Sequence, residues 1–249
     1  MKQAIILAAG IGKRLGELTK DIPKCLLPID SEKVLLDFSL EALKDNGITK
    51  VVFISGFAHE KLKEYVNKKW ATCFSFRFIF NERYAEYNNI YSAYLAKDIW
   101  DDGTILLNSD IIFHPDILKN LLVETCHSKS LLVIDDKSKL DDEDMKVTVR
   151  ENGEIKKINK NLNIKESFGE YIGILYLKDT ERIKFIESLK ENINSTKFDL
   201  YYEDALDQTL NKISIYPCST SGKLWTEVDT KEDYEIAKKI ASQIKKVAI

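Results

Sequence analysis

The sequence lacks the features that mark several common protein classes. Its four cysteines, Cys25, Cys73, Cys126 and Cys218, stand far apart with no paired spacing. They suggest neither a zinc site nor a disulfide framework, and we expect reduced thiols in a cytoplasmic protein. A basic excess is also missing, because 37 Lys and Arg face 40 Asp and Glu, for a net charge of −3. Nucleic acid is therefore not expected as a partner.

Long hydrophobic runs, internal repeats and low-complexity linkers are absent as well. The apolar run near the N-terminus is interrupted early by Gly10 and Gly12, so we expect neither a signal peptide nor membrane insertion. What remains is a chain of 249 residues, 44% hydrophobic and 31% charged. This composition fits one large α/β domain with a substantial core. The oligomeric state stays open, a homodimer included.

Strand-like and helix-like segments alternate along the chain, which is typical of a parallel sheet covered by helices. Buried strands are predicted at 4–9, 51–56, 76–80, 104–110, 130–135, 170–177, 213–217 and 224–230. Helices are predicted at 34–46, 59–70, 89–99, 180–193 and 231–246, with shorter ones after His114 and after 198–204. Residues 145–149 and 154–158 are expected to form a hairpin, because Asn152-Gly153 is a strong turn pair.

The first thirty residues have the character of a phosphate-binding loop. An apolar strand ends at Gly10 and Gly12, whose lack of a Cβ lets a bulky anion approach the backbone. A turn after a strand exposes N–H groups that can cradle phosphate oxygens. Lys13, Arg14 and Lys24 could neutralise a triphosphate.

The loop fits neither of two common phosphate-binding motifs. No Gly-Lys-Ser/Thr follows, as the P-loop requires, and Leu15 stands where the dinucleotide fingerprint has its third glycine. A Gly-x-Gly alone is also typical of an ordinary strand-to-helix turn.

The longer pattern is more specific. Leu-Ala-Ala-Gly-x-Gly-x-Arg-Leu at 7–15, then Thr19, Pro23-Lys24 and Pro28-Ile29, resembles the signature of nucleotidyltransferases that join a nucleoside triphosphate to a phosphorylated small molecule. The resemblance implies a Rossmann-like α/β fold with a mixed, mostly parallel central sheet and helices on both faces. It implies a single domain over 1–249, with a small acceptor-binding lobe at about 136–212.

A second segment narrows the resemblance. Residues 81–94, with two tyrosines before Asn88-Asn89 and Tyr91-Ser92 after them, resemble choline-phosphate cytidylyltransferases. They also resemble relatives acting on 2-aminoethylphosphonate and other small phosphorylated alcohols. The Gly-Thr-Ala segment usual in sugar-phosphate nucleotidyltransferases is missing. The nucleotide-binding residues implied are Leu7, Ala8, Ala9, Gly10, Gly12, Lys13, Arg14, Lys24, Asn88, Asn89 and Ser92. Asn88 and Asn89 could instead only cap a helix.

Two aspartates are candidate metal ligands. Asp110 and Asp229 each follow an apolar strand, and Mg²⁺ typically takes one or two carboxylates and leaves its other positions to phosphate and water. Read alone, such an aspartate is more often a cap or turn residue. The resemblance identifies both as the family's metal ligands. Together with Arg14 and Lys24 they are the predicted catalytic residues, and Mg²⁺ is the predicted cofactor.

The acceptor site is the least defined part. The resemblance implies that Lys160 contacts the acceptor's phosphate, although neighbouring lysines could take that role. It also implies that Glu170 faces the acceptor. Tyr201, Tyr202 and Glu203 could surround an ammonium group, because aromatic faces and a carboxylate both attract cations. Aromatic residues before a helix are, however, commonly part of the core.

The resemblance implies transfer of CMP from CTP to a small phosphorylated alcohol or amino alcohol, with release of pyrophosphate. The acceptor's identity is left open. The alternative within enzymes is a sugar-1-phosphate nucleotidylyltransferase that uses another triphosphate. A non-catalytic nucleotide-binding subunit and a metal-dependent glycosyltransferase are weaker alternatives.

Overall fold

A computed structural model describes residues 3–125 and 129–247, so Cys126 lies outside the described residues. The strands are β1 (Gln3–Ala8), β2 (Lys50–Ser55), β3 (Ser75–Phe80), β4 (Thr104–Asn108), β5 (Ile111–Phe113), β6 (Ser130–Asp135), β7 (Lys146–Val149), β8 (Ile155–Asn159), β9 (Gly169–Leu177), β10 (Ile215–Ser219) and β11 (Trp225–Glu227). The α-helices are α1 (Leu35–Asp45), α2 (His59–Trp70), α3 (Asn89–Leu95), α4 (Pro115–Glu124), α5 (Asp179–Asn194), α6 (Tyr202–Asp207) and α7 (Lys231–Val247).

The central sheet has the order β10-β6-β9-β4-β1-β2-β3. Its pairs are parallel except where β9 runs antiparallel to both β4 and β6, and the β7-β8 hairpin joins through β9. The predicted mixed, mostly parallel α/β fold is therefore confirmed. The register pairs Leu7 with Asn108, so the segments that follow β1 and β4 lie side by side. Ligands in such sheets bind beyond the carboxyl ends of the strands.

The two faces of the sheet bury separate cores. Ile6 packs with α1, α2 and α4 on one face, whereas its neighbour Ile5 packs with α3, α5 and α6 on the other. Successive side chains of a strand point to opposite faces, and both faces of β1 are covered by helices. Every residue of β1 is therefore buried, and all of them from Ala4 to Ala8 are apolar. Helix α7 lies against α1 and Leu15 in a third cluster. No helix in the described ranges combines the length and apolar character needed to cross a bilayer.

A small antiparallel pair, β5 with β11, brings the two candidate metal ligands together. Ile111 lies opposite Glu227, and the backbone N–H of Val228 donates to the carbonyl of Asp110 at 2.8 Å. The predicted strands 104–110 and 224–230 were too long, because β4 ends at Asn108 and β11 at Glu227. The chain turns between Asn108 and Ile111 to begin β5. Asp110 therefore lies in the turn between β4 and β5, and Asp229 lies in the short connection between β11 and α7.

Candidate active site

A cleft of about 340 Å³ opens at the carboxyl ends of β1 and β4. Small-molecule sites typically enclose about 300–1,000 Å³. We distinguish a loop end, formed by Gly10, Arg14, Lys24, Asp110 and Asp229, from an α6 end, formed by Lys160, Glu170, Tyr201 and Glu203. Leu7, Ala8, Ala9, Asn88, Asn89 and Ser92 line the same cleft. Most of the predicted site residues thus converge on this cleft from six separate parts of the chain, whereas Gly12, Lys13 and Tyr202 do not line it.

The glycine loop is open to solvent at its tip. Gly10 is exposed, and a Cβ added there would meet nothing within 4 Å. Gly12 has φ +69°, and the hydroxyl of Thr19 donates to its carbonyl at 2.8 Å. This left-handed turn, which favours glycine, folds the chain back over Lys24. Gly12 and Lys13 line a shallow depression that adjoins the cleft and shares Arg14 and Lys24 with it.

Lys24 lies between the two aspartates. Its Nζ is 2.7 Å from Oδ2 of Asp110 and 2.5 Å from Oδ1 of Asp229, and Arg14 pairs with the other oxygen of Asp229. Although burial opposes it, attraction to Asp110 and Asp229 raises the pKa of Lys24. Burial likewise opposes the effect of Lys24 on Asp229, whose pKa is nevertheless lowered. Lys24 and Asp229 are therefore charged at neutral pH.

The aspartates fit a divalent cation. Asp110, Glu227 and Asp229 each offer a carboxylate oxygen within 4.8 Å of the others. The Oδ1 atom of Asp110 is buried and accepts no hydrogen bond from any residue that the structure describes. The ammonium group of Lys24 already supplies a positive charge between two of the three. Glu227 was not predicted from the sequence, although it stands only two residues before Asp229.

Asn88 and Asn89 tie two segments of the cleft wall together. Oδ1 of Asn88 accepts from the N–H of Asn89 at 2.7 Å, and its Nδ2 donates to the carbonyl of Asp199 at 3.0 Å. Oδ1 of Asn89 accepts from the N–H of Tyr202 at 2.9 Å. Ser92 is nearly buried and accepts from Nδ2 of Asn81. Asn88 thus caps α3, the alternative that the sequence left open, and contact of these residues with a base stays a prediction.

The α6 end contains only part of the predicted aromatic cage. Tyr201 is 38% exposed, and Nζ of Lys160 lies 5.5 Å from its ring centroid. Tyr202 does not line the cleft, which corrects its predicted contact with the acceptor. Its ring is fully buried in the core, and its hydroxyl lies 2.8 Å from that of Tyr171 and donates to Oδ1 of Asn108. As the first residue of α6, Tyr202 points inward, where apolar burial favours it.

Two carboxylates at the α6 end are held in poorly solvated positions. Glu203 is 4% exposed, and its Oε2 has no hydrogen-bond partner among the described residues. Burial raises the pKa of Glu203 to about 7. Burial, followed by the nearby charges of Asp144 and Asp135, raises the pKa of Glu170 to about 8. Carboxyl groups in such positions are stabilised in their charged form by a nearby cation. Glu143 and Tyr171 also line this end and were not predicted.

Residues 3–141, more than half of the chain, match the profile of the nucleotidyl transferase family. The chain belongs to this family. The predicted resemblance to nucleotidyltransferases is thereby confirmed.

Two relatives match this nucleotidyltransferase over nearly its whole length. The CTP:phosphoglutamine cytidylyltransferase of Campylobacter jejuni is 30% identical over 94% of this chain and 98% of its own. The choline-phosphate cytidylyltransferase of Haemophilus influenzae is 30% identical over 93% of this chain and 94% of its own. A solved structure, the inositol-1-phosphate CTP transferase from T. maritima, is similar with a TM-score of 0.78 at 25% identity, covering 96% of both chains.

A glycine in β9 supports the floor of the cleft of the nucleotidyltransferase. Gly173 has φ +84°, and an added Cβ would lie 2.7 Å from Nδ2 of Asn108. We expect Gly173→Ala to lower the free energy of unfolding by about 1–2 kcal/mol for backbone strain, and by about 1–3 kcal/mol more for overpacking. Because Asn108 stands two residues before Asp110, turnover should fall as well.

Gly153→Ala is the matched control for this substitution. Gly153 has φ +82°, but a Cβ there would meet nothing within 4 Å. Urea unfolding of both variants separates the backbone strain that they share from the contact with Asn108. Equal losses of stability in the two variants would show that Asn108 moves aside freely.

Proposed function

We propose that this nucleotidyltransferase transfers CMP from CTP to a small phosphorylated alcohol or amino alcohol and releases pyrophosphate. The observation that carries the proposal is one continuous cleft, with a cationic glycine loop at one end and an acidic wall with Tyr201 at the other. The names of the three similar proteins support CTP as the donor, since each includes CTP or cytidylyl transfer. Their named acceptors differ, so the acceptor is argued from this chain's own residues.

At the loop end, Arg14 and Lys24 would bind the triphosphate, with backbone groups from Leu7 to Lys13 around it. The acceptor's phosphate oxygen would attack the α-phosphorus in line with the departing pyrophosphate. An acceptor phosphate is already largely deprotonated near neutrality, because its second pKa is about 6, so no general base is required. The residues would act by positioning and charge neutralisation. Asn88, Asn89 and Ser92 would lie near the base.

Asp110 and Asp229 would hold Mg²⁺, with Glu227 as an added carboxylate nearby. When bound, the ion supplies positive charge that neutralises phosphate oxygens. The support for this proposal is the unpartnered oxygen of Asp110 and the cationic group that lies between the two aspartates.

Residues 136–212 would form the acceptor lobe. They include the loop with Glu143, the β7-β8 hairpin, β9 and α6. Lys160 would bind the acceptor's phosphate, because it lines the cleft beside Tyr201. Glu170, Tyr201 and Glu203 would contact the rest of the acceptor, and Tyr202 would support them from the core through its hydrogen bonds to Tyr171 and Asn89.

A panel of CTP, UTP, GTP and dTTP against small phosphorylated alcohols and sugar 1-phosphates tests the proposal. Pyrophosphate release measures turnover for each pair. We expect turnover of CTP with an alcohol or amino-alcohol phosphate to exceed that of every other pair by at least about tenfold. A base with a different pattern of donors and acceptors would lose hydrogen bonds to uncharged groups of the protein, each of which contributes about 1 kcal/mol. Turnover of a sugar 1-phosphate with UTP or dTTP instead would identify a sugar-1-phosphate nucleotidylyltransferase.

A further inference from the structure

The small sheet that places the two candidate metal ligands has little support of its own. Strand β11 has three residues, and its strand partner, β5, also has three. A pair of strands this short is marginally stable unless the rest of the fold holds it. The position of Asp229, two residues after β11, therefore depends on the contacts that fasten β11 to the large sheet.

One of these contacts joins β11 to the end of β6. The indole Nε1 of Trp225, the first residue of β11, donates to Oδ2 of Asp135 at 2.7 Å. Asp135 is the last residue of β6 and is only 4% exposed. Hydrogen bonds to an ionised acceptor are roughly twice as strong as those between neutral groups, and burial protects this one from water. The bond therefore ties the first residue of β11 to a strand of the central sheet.

Other hydrogen bonds fix the orientation of the Asp135 carboxylate. Its Oδ1 accepts from the backbone N–H groups of Lys137 and Ser138 at 3.0 and 3.1 Å, and from the hydroxyl of Thr220 at 3.5 Å. Its Oδ2 accepts from the hydroxyl of Ser138 at 2.6 Å. Although burial opposes it, hydrogen bonds from Ser138, Trp225 and Lys137 lower the pKa of Asp135, so the group is charged at neutral pH. Trp225 thus meets a charged acceptor whose orientation is fixed.

Strand β11 carries this constraint to the candidate metal ligands. Just after the strand, the backbone N–H of Val228 donates to the carbonyl of Asp110 at 2.8 Å. Mg²⁺ demands near-ideal octahedral geometry, and a displacement of about 1 Å at a reacting centre can cost about 100-fold in rate. A shift of β11 that begins at Trp225 would therefore change the separation of the Asp110 and Asp229 carboxylates and weaken the hold on the ion.

We propose that Asp135 is a positioning residue for the metal site. Through its hydrogen bond with Trp225 it fixes β11, and it thereby sets the separation of the Asp110 and Asp229 carboxylates. This inference rests on the proposed function, because it concerns the ion that the two aspartates would hold. Neither Asp135 nor Trp225 lines the cleft, so we expect neither to contact the ion or a substrate.

Two variants remove the bond from opposite sides. In Asp135→Asn, the backbone N–H groups that bind Oδ1 keep the amide oxygen on their side, so the amide NH₂ faces the indole N–H. Asp135 also lies opposite Glu170 in β9, so this variant changes the charge beside a residue that lines the cleft. Trp225→Phe removes the same hydrogen bond and leaves the charge at position 135 unchanged. Effects that the two variants share therefore report the bond alone.

CTP binding with and without Mn²⁺ measures the contribution of the ion. Calorimetric titrations use CTP with equimolar Mn²⁺ or CTP with EDTA, and the ratio of the two dissociation constants isolates the metal. We expect Mn²⁺ to strengthen binding about tenfold less in both variants than in the wild type, as is typical when support for metal ligands is lost. Affinity for CTP in EDTA should stay unchanged. The double variant should lose no more than either single variant, because all three remove one interaction.

Asp136→Asn is the matched control. Asp136 follows Asp135 in the chain, accepts from the hydroxyl of Ser219 at 2.6 Å and pairs with Lys137 at 3.0 Å. The same chemical change at this position should leave the effect of Mn²⁺ at its wild-type value, because Trp225 keeps its acceptor. An equal loss in Asp136→Asn would show that the effect is not specific to the bond with Trp225, and the inference would be wrong.

The outcomes separate the inference from the proposed function. The inference is wrong if both variants keep the wild-type effect of Mn²⁺, or if they weaken CTP binding equally with Mn²⁺ and with EDTA, as general damage to the fold would. Trp225→Phe alone decides the question if Asp135→Asn folds poorly. If the wild type binds CTP no better with Mn²⁺ than with EDTA, the proposed metal site fails and the inference with it. If the wild type binds CTP under neither condition, the proposed function itself fails.

Discussion

Asp110→Asn and Asp229→Asn are each expected to lower kcat by about a thousandfold while the protein remains folded. Each substitution keeps the shape of the side chain and removes one negative charge beside Lys24. Losing one preorganised electrostatic contact at a reacting centre typically costs about 100- to 1,000-fold in kcat, and these carboxylates are also the proposed Mg²⁺ ligands. Pyrophosphate release at saturating substrates measures the effect, and near-UV circular dichroism checks the fold.

Asp116→Asn is the control for both variants. Asp116 lies in the first turn of α4, where it pairs with Lys223 at 3.0 Å, and it does not line the cleft. The same chemical change should leave turnover within about twofold, because surface ion pairs contribute little. Near-normal turnover in Asp110→Asn or Asp229→Asn would remove that aspartate from the proposed site.

Lys24→Met is expected to lower kcat/KM for CTP by about 100-fold and to make stability depend on Mg²⁺. Methionine removes the charge that lies between Asp110 and Asp229, so the two carboxylates repel. The loss is about 2 kcal/mol after allowance for partial exposure. For a chain of this size that corresponds to an unfolding temperature roughly 4–8 °C lower in metal-free buffer. Millimolar Mg²⁺ should restore much of this loss, whereas the wild type should respond less.

Lys184→Met provides the comparison for this experiment. Lys184 pairs with Glu187 at 2.8 Å on the exposed side of α5, and it does not line the cleft. Its removal should change neither turnover nor the response to Mg²⁺. Thermal unfolding with and without Mg²⁺ measures the difference. A wild-type response in Lys24→Met would mean that the metal does not bind where the ammonium group lies.

The sequence predicts those elements whose signals are local. The helix at 59–70 and the strand at 130–135 have the predicted bounds. The helix has its apolar positions at helical spacing, and the strand is a short apolar run, 131–134, between Ser130 and Asp135. The pairing of β5 with β11 could not be predicted in this way. Each strand has three residues, and Ile111 meets Glu227 across more than a hundred positions. Such short strands form only because the rest of the fold brings them together.

In the candidate active site, too, the features set by a local motif could be predicted, whereas those set by tertiary contacts could not. The motif from Leu7 to Leu15 is contiguous, so its position at the mouth of the cleft could be predicted. Tyr201 and Tyr202 are adjacent and chemically alike, yet one lines the cleft and the other is buried. Which way each points is decided by the start of α6 and by the hydrogen bond from the N–H of Tyr202 to Asn89. Glu143 and Glu227 were missed because tertiary contacts, and not a motif, bring them to the cleft.

A crystal structure with CTP and Mn²⁺ tests the central claim most directly, because the anomalous signal of manganese locates the ion without assumptions. We expect one strong peak between the carboxylates of residues 110 and 229, with the triphosphate along the glycine loop and the amine of residue 24 moved from the aspartates to phosphate oxygens. A peak remote from both aspartates, or a nucleotide bound away from the loop, would contradict it.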